Sequence, residues 1–125
     1  MDQKKLEYYK TLLKEKRNEV RQRIDHLREV AVESNYKESS GDHSGYSFHM
    51  ADQGTDAMER EKAFLFLSRE EKYLQQIDRA LERISQGEYG ICRVCGNEID
   101  ARRLELVPTT RICVPCKEAE ARRRP

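Results

Sequence analysis

The chain has 125 residues, of which 38% are charged and 37% hydrophobic, and it contains no Trp. This composition excludes a thick globular core and favours solvated helices that bury one stripe each. No run approaches the roughly 20 apolar residues that a membrane-spanning helix needs, and the net charge of +1 gives no general indication of nucleic-acid binding.

Residues 2 to about 34 contain neither Gly nor Pro, and the pattern predicts one long helix. A seven-residue repeat of apolar side chains marks one face, formed by Leu6, Leu13, Val20 and Leu27. Such a narrow seam in a charged background is typical of a coiled-coil arm. Charged side chains interrupt the seam near its middle, at Lys16, Arg17 and Arg23.

Residues 35–51 break this pattern with a cluster of Ser, Gly, Asp and Asn, which predicts a connecting loop. Residues 35–56 hold one basic side chain, Lys37, against four acids, Glu38, Asp42, Asp52 and Asp56. The connection between the two helices is therefore predicted to be an acidic tip.

A second helix is predicted from about Asp56 to residue 84 or 85, again without Gly or Pro. Its apolar positions are spaced by three and four, with Glu70 as the one polar member of the series: Ala63, Leu67, Leu74, Ile77, Leu81 and Ile84. Asp56 and Glu59 have the spacing of a capping box at the start of this helix. Two helices of this length joined by one loop are expected to fold back as an antiparallel hairpin.

All four cysteines follow this helix, in the pattern C-x2-C-x17-C-x2-C formed by Cys92, Cys95, Cys113 and Cys116. Two such pairs can supply the four thiolates of a tetrahedral zinc site. A pair of disulfides would require an oxidising compartment, and the polar start of the chain has no signal-peptide pattern. An iron–sulfur cluster usually has a different spacing. With four protein ligands, the zinc is expected to be structural rather than catalytic.

The lobe around these cysteines is predicted to be small, with Gly87 ending the second helix at the C′ position. Four apolar residues between the cysteine pairs are expected to form its core: Ile99, Leu104, Leu106 and Val107. Residues 117–124 are predicted to form a short final helix. The sequence thus predicts a mainly α protein, with a coiled-coil hairpin over residues 1–86 and a C4 zinc-finger lobe over residues 87–125.

At this point the sequence resembles the DksA/TraR family of C4 zinc-finger proteins. The resemblance is carried by the run from Gly87 to Gly96, GEYGICRVCG, and continues at Ile99, at Arg102-Arg103-Leu104-Glu105, at Pro108, and from Cys113 to Lys117. The predicted coiled coil and tip also match, so the resemblance extends over nearly the whole chain.

The resemblance implies a cytoplasmic, non-enzymatic regulator of transcription that binds RNA polymerase directly and monomerically, without sequence-specific DNA binding or a membrane. Family members insert the hairpin through the secondary channel and present tip acids near the catalytic centre, often together with the alarmone ppGpp and in stress responses. In this chain His49-Met50-Ala51-Asp52-Gln53-Gly54 stands where the best-known members have D-x-x-D-x-A. Asp52 is therefore the expected tip acid, Asp56 a shifted second acid or a helix cap, and Lys117 a basic position of possible effector binding.

Three other functions stay open at this stage. In a transcript-cleavage factor, Asp52 and Asp56 would place Mg²⁺ at the polymerase active site, which requires that the second helix begins before Asp52 or that the loop folds back. In a nucleic-acid-binding zinc lobe, arginines such as Arg102, Arg103 and Arg111 would meet phosphates, although acids are interspersed and no base-reading helix is expected between the cysteine pairs. In a purely structural protein, the coiled coil would form a dimer.

Overall fold

The computed structural model describes the backbone of residues 1–40 and 46–123 and the side chains of residues 1–32 and 57–123. Four helices follow one another along the chain: α1 (Gln3–Ser40), α2 (Tyr46–Gln86), α3 (Ala101–Leu106) and α4 (Val114–Arg123). Across these described residues there is no strand, and a single antiparallel bridge joins Ile91 to Glu98. The predicted mainly α class is confirmed.

The predicted loop over residues 35–51 is wrong in its extent, because α1 continues to Ser40 and α2 already begins at Tyr46. Ser, Asn and Asp favour turns only through weak local preferences, and a long helix that packs against another element overrides them. Even Gly54 lies inside α2, although glycine costs about 1 kcal/mol in a helix interior. Asp56 is therefore not the N-cap of α2, and the capping box with Glu59 is not formed.

The chain divides into two compact units, residues Met1–Asn18 with Gln75–Pro125 and residues Glu19–Leu74. Both long helices contribute to both units. These units do not coincide with the predicted division at residue 86, which stays a prediction.

The unit of residues 19–74 is a helix pair whose core is formed by small and branched side chains that exclude water: Val20, Ile24, Ala31 and Ala63. Charged side chains beside this core meet across the pair. Arg23 bonds Glu70 through two contacts, and Arg28 bonds Glu71 through one. Arg23 is one of the three charged interruptions of the first predicted seam, Glu70 is the polar member of the second, and the fold pairs them with each other.

The unit formed by the remaining residues combines the first turns of α1 and the last turns of α2 with the cysteine lobe. Its helix core includes Tyr9, Leu13, Ile77 and Ala80. The Tyr9 ring also contacts the Tyr89 ring, with centroids 5.6 Å apart, and this contact joins the helix core to the lobe within the same unit.

Helix α2 ends in a glycine-based cap. Gly87 has φ of +76°, its N–H donates to the Ile84 carbonyl over 3.2 Å, and the N–H of Glu88 donates to the Arg83 carbonyl over 2.9 Å. These two bonds are the Schellman pattern, in which C′ adopts the left-handed conformation that only glycine accepts without strain. The predicted role of Gly87 is confirmed, and it sets where the chain leaves the helix to enter the lobe.

Candidate metal centre

The first cysteine pair lies in a tight hairpin-like turn. The Gly96 N–H donates to the Cys92 carbonyl over 3.0 Å, and the Cys92 N–H donates to the Asn97 carbonyl over 2.8 Å. Gly96 has φ of +76°, so a residue without a side chain is needed at the point where the turn closes. The turn therefore presents two thiols, three positions apart, from one rigid segment.

The second pair lies at the start of α4, which begins at Val114 and not at the predicted residue 117. Cys113 immediately precedes the helix, and its carbonyl accepts the Lys117 N–H over 2.9 Å. Pro115 fits here because the first turn of a helix leaves its N–H groups unpaired in any case. The positive end of the α4 dipole favours negative charge on Cys113 and Cys116.

One backbone bond ties the two cysteine pairs together: the Arg93 N–H donates to the Arg111 carbonyl over 2.8 Å. The segment before the second pair is held by side chains. The Tyr89 hydroxyl donates to the Pro108 carbonyl over 2.7 Å, and the Arg83 guanidinium donates to the Thr109 carbonyl over 3.3 Å. These contacts fix the approach of the second pair to the first.

The four sulfur atoms all lie within 4.8 Å of one another, and the Sγ atoms of Cys95 and Cys113 are 3.7 Å apart. In a tetrahedral zinc site with Zn–S bonds of about 2.3 Å, neighbouring sulfurs are roughly 3.8 Å apart. The sulfur positions therefore fit one tetrahedral metal ion, and Cys92, Cys95, Cys113 and Cys116 are the residues that would hold it. Bound there, zinc would supply a closed four-thiolate shell.

The pKa values of two of the four thiols are shifted in opposite directions. Backbone N–H donation from Cys95, and also from Cys113 and Val94, lowers the pKa of Cys92 to about 6, although its burial acts in the opposite direction. Hydrogen bonding with the Cys113 thiol, together with burial, raises the pKa of Cys116 to about 12. The backbone donors thus favour negative charge on Cys92, whereas four thiolates at these distances need a cation to balance their charge.

The core of the lobe is only partly as predicted. Ile99 and Leu104 are buried, but Leu106 is 82% exposed and Val107 also faces solvent. Helix α3, which the sequence did not predict between the cysteine pairs, explains the difference. Asp100 caps it by accepting the Arg102 N–H, and Leu106 lies two residues after the buried Leu104, on the opposite face.

The other predicted functional residues lie in α4 and in α2. Lys117 is exposed in the first turn of α4, next to the ligand position Cys116. Asp52 and Asp56 both belong to α2 and are one helical turn apart. Their side chains are not among those that the structure describes. Sequence reasoning missed the exposed run Phe64-Leu65-Phe66, whose only signal was three large apolar residues in a row.

Comparison with known proteins identifies the type of this metal centre. The profile of the family described as "Prokaryotic dksA/traR C4-type zinc finger" matches residues 87–122, which include all four cysteines. This match and the sulfur geometry identify the centre as a C4 zinc site for one metal ion.

Relatives extend the similarity beyond the lobe. The Salmonella typhimurium protein named RNA polymerase-binding transcription factor DksA is 28% identical over 124 residues, covering 94% of this chain and 72% of that protein. The YteA protein of Bacillus subtilis is 43% identical over 72 residues, which span 58% of this chain and only 30% of YteA. The solved structure of transcription factor DksA2 from Pseudomonas aeruginosa superimposes with a TM-score of 0.84 at 30% identity, over 98% of this chain and 87% of that one.

Proposed function

Because this chain belongs to the DksA/TraR family of C4-type zinc-finger proteins, we propose that it regulates transcription by binding bacterial RNA polymerase directly. The supporting observation is the similarity to DksA2 over 98% of the chain, which includes both long helices as well as the zinc lobe. A likeness limited to the zinc lobe would support only a metal-binding module. The proposal is a non-enzymatic role in the cytoplasm, performed by a monomer without sequence-specific DNA binding or membrane association.

We propose that the acidic tip, residues 35–56, enters the polymerase secondary channel and presents Asp52 near the catalytic centre. The acidic composition of this region supports the idea, because carboxylates can act on the metal-rich chemistry of a polymerase active site. Asp56 is a second candidate acid, and its position inside α2 supports this role over that of a helix cap. The zinc has a structural role in this proposal, since all four positions of its shell are taken by protein.

Lys117 is the proposed contact for an anionic effector such as ppGpp. It is exposed and lies in the first turn of α4, where unpaired N–H groups and the helix dipole also favour anions. Its basic side chain is adjacent to Cys116, so the zinc site would fix its position. We expect Lys117→Ala to reduce any ppGpp dependence without changing the zinc content.

The test is a binding competition on bacterial core RNA polymerase between the zinc-loaded chain and a known secondary-channel factor. Mutual exclusion is the expected result, with an affinity in the micromolar range or better. Binding of both proteins at once would reject the secondary channel as the site. Absence of binding would reject the polymerase as partner, and the zinc-lobe alternative would then be tested by the salt dependence of nucleic-acid binding.

One observation favours a second candidate, a transcript-cleavage factor. Helix α2 begins before Asp52, which is the condition under which Asp52 and Asp56, one helical turn apart, are spaced to share a Mg²⁺ ion. Stalled polymerase complexes distinguish the two functions. Cleavage of the nascent transcript stimulated by this chain and by Mg²⁺ would favour the second candidate, and unchanged transcripts would reject it.

A further inference from the structure

Two arginines of the unit that contains the zinc lobe lie close together although both are positively charged. Arg83, in the last turn of α2, is half-buried, and its guanidinium donates to the Thr109 carbonyl over 3.3 Å. Arg111, two residues after Thr109, is exposed. Burial, and then the charge of Arg111, lower the pKa of Arg83. The fold therefore holds two like charges side by side within one compact unit.

Backbone and side-chain hydrogen bonds fix the segment that places Arg111 beside Arg83. The Arg111 carbonyl accepts the Arg93 N–H over 2.8 Å. Just before this segment, the buried Tyr89 hydroxyl donates to the Pro108 carbonyl over 2.7 Å. Movement of the backbone to separate the two arginines would break these bonds, so their repulsion is built into the fold.

No carboxylate offsets this charge within residues 1–32 and 57–123, whose side chains the structure describes. The ion pairs formed there involve neither Arg83 nor Arg111. The groups that act on the charge of Arg83 are Arg111 and the Tyr89 hydroxyl, and Tyr89 is neutral at ordinary pH because burial raises its pKa. An anion from outside the described chain would offset the repulsion.

The chemistry of the arginine pair identifies the class of anion. Each guanidinium is a planar fork of N–H donors that matches two oxygens of a phosphate group. A phosphate monoester carries a charge of about −1.5 to −2 at neutral pH, which balances two arginines, whereas a carboxylate balances one. A nucleic-acid backbone supplies the same charge from two successive phosphates. The partial burial of Arg83 reduces screening by water and strengthens its attraction for such an anion.

From this geometry we propose that Arg83 and Arg111 form a phosphate-binding site, with the exposed Arg93 at its margin. The phosphate belongs either to a free polyphosphate or to the backbone of a single-stranded nucleic acid, which the two forks would bind without reading its sequence. The site goes beyond the proposed function, because it binds phosphate without the polymerase. The sequence offered Arg111 as a phosphate contact, and the fold adds Arg83 from the end of α2.

The experiment uses the full-length, zinc-loaded chain with the single substitutions Arg83→Gln and Arg111→Gln. Arg102→Gln is the matched control, since it removes the same charge from an exposed position in the same unit. Two probes distinguish the sources of phosphate: inorganic pyrophosphate, followed by calorimetry, and a fluorescent single-stranded oligonucleotide, followed by anisotropy over a salt series. Thermal unfolding of each variant is measured in phosphate-free buffer, and again with pyrophosphate or with sulfate at equal ionic strength.

We expect both site variants to bind at least one probe about tenfold more weakly, with Arg102→Gln within about twofold of the original chain. For the oligonucleotide, each lost phosphate contact should reduce the slope of log affinity against log salt by about 0.7. Arg111→Gln should keep the original melting temperature in phosphate-free buffer, because it relieves the repulsion and leaves the bond from Arg83 to Thr109 in place. This variant therefore tests the site even if Arg83→Gln unfolds.

A response to pyrophosphate alone would identify a free polyphosphate as the ligand, and a response to the oligonucleotide alone would identify the nucleic-acid backbone. Failure of the original chain to bind either probe, or equal binding by the site variants and the control, would overturn the inference. Stabilisation by sulfate as large as that by pyrophosphate would overturn the assignment to phosphate. A lower melting temperature of Arg111→Gln without phosphate would show that Arg111 stabilises the fold instead of a ligand.

Discussion

Arg23 of α1 and Glu70 of α2 form a two-pronged ion pair, with Nε to Oε1 at 3.0 Å and the second guanidinium nitrogen to Oε2 at 3.2 Å. Each residue alone interrupts an apolar seam, and together they form a parallel pair of charge-assisted hydrogen bonds. Because the Glu70 side chain is 24% exposed, the pair is only partly screened by solvent.

We expect Glu70→Gln to lower the free energy of unfolding by about 0.5–1 kcal/mol, with the larger part of the loss at low salt. Arg23→Gln should have a similar effect, and the double variant should lose less than the sum of the two. Glu71→Gln is the matched control, because its partner Arg28 makes only one contact and both side chains are more exposed. Urea unfolding followed by helical circular dichroism measures all four, and a salt-independent loss would contradict the ion-pair explanation.

The four-thiolate zinc site predicts that Cys92→Ser destabilises the cysteine lobe. Structural zinc sites contribute about 10–16 kcal/mol, which is comparable to the whole stability of a small domain, so this variant should lose its zinc and unfold the cysteine lobe. Metal content and protease resistance of residues 87–123 are the measurements. Val94→Ser, between two ligands at a 64% exposed position, should keep one zinc per chain. A folded lobe in zinc-free Cys92→Ser would show that the ion is not structural.

The buried hydrogen bond of the Tyr89 hydroxyl predicts that Tyr89→Phe lowers the free energy of unfolding. This variant leaves the Pro108 carbonyl without its 2.7 Å donor, which should cost about 1–2 kcal/mol. Tyr8→Phe, at a 51% exposed position, is the control and should stay within 0.5 kcal/mol of the original, roughly the range of surface substitutions. Thermal unfolding with bound zinc measures both, and equal melting temperatures for Tyr89→Phe and the original chain would contradict this role.

The raised pKa of Tyr89 predicts that the stability of the protein falls at alkaline pH. Burial, followed by the neighbouring Tyr9, raises the pKa of Tyr89 above that of a free tyrosine. The folded state therefore holds the proton more tightly than the unfolded state, and this stabilisation is complete below a pH of about 10 and falls as the pH rises above it. The stability difference between the original chain and Tyr89→Phe should shrink across that range. A difference that is constant up to pH 11 would contradict the assignment.

The proposed role of Asp52 predicts a separation of binding from regulation. Asp52→Asn removes one negative charge without changing size, so polymerase affinity should stay within about twofold while the effect on initiation is lost. Asp56→Asn is the comparison, and a partial loss there would make it a second tip acid. Transcription from a sensitive promoter, measured beside affinity for core polymerase, tests both. Loss of affinity in Asp52→Asn would show that this acid belongs to the docking surface instead.

The pattern of the four cysteines predicted the zinc site fully, because a tetrahedral shell restricts ligand type and spacing together. The long helices were also predictable, since an apolar seam has a definite period. The ends of these helices were not predictable. Ser40 and Tyr46 lie in a polar segment whose local preferences favour turns, and each helix extends into that segment. Leu106 was assigned to the core because apolar character alone does not indicate direction. Only the placement of α3 after Asp100 decides which face is covered.

The pairing of Glu70 with Arg23 and the exposure of Phe64, Leu65 and Phe66 were beyond the sequence for a related reason. Both depend on which residue of one helix lies beside which residue of the other. A heptad pattern predicts that two seams meet, but it leaves the relative register of the helices open by whole turns. The polar member of each seam could be recognised as an exception, and its partner could not be named.

The unit of residues Glu19–Leu74 is continuous in sequence, whereas the unit that contains the zinc lobe joins Met1–Asn18 to Gln75–Pro125. This connectivity orders events during synthesis. The helix pair of the continuous unit can form as soon as residue 74 has left the ribosome, from local contacts that form quickly. The first turns of α1 must wait until Tyr89 and the second cysteine pair have been made. Metal capture is therefore a late step, which follows the formation of the helix pair.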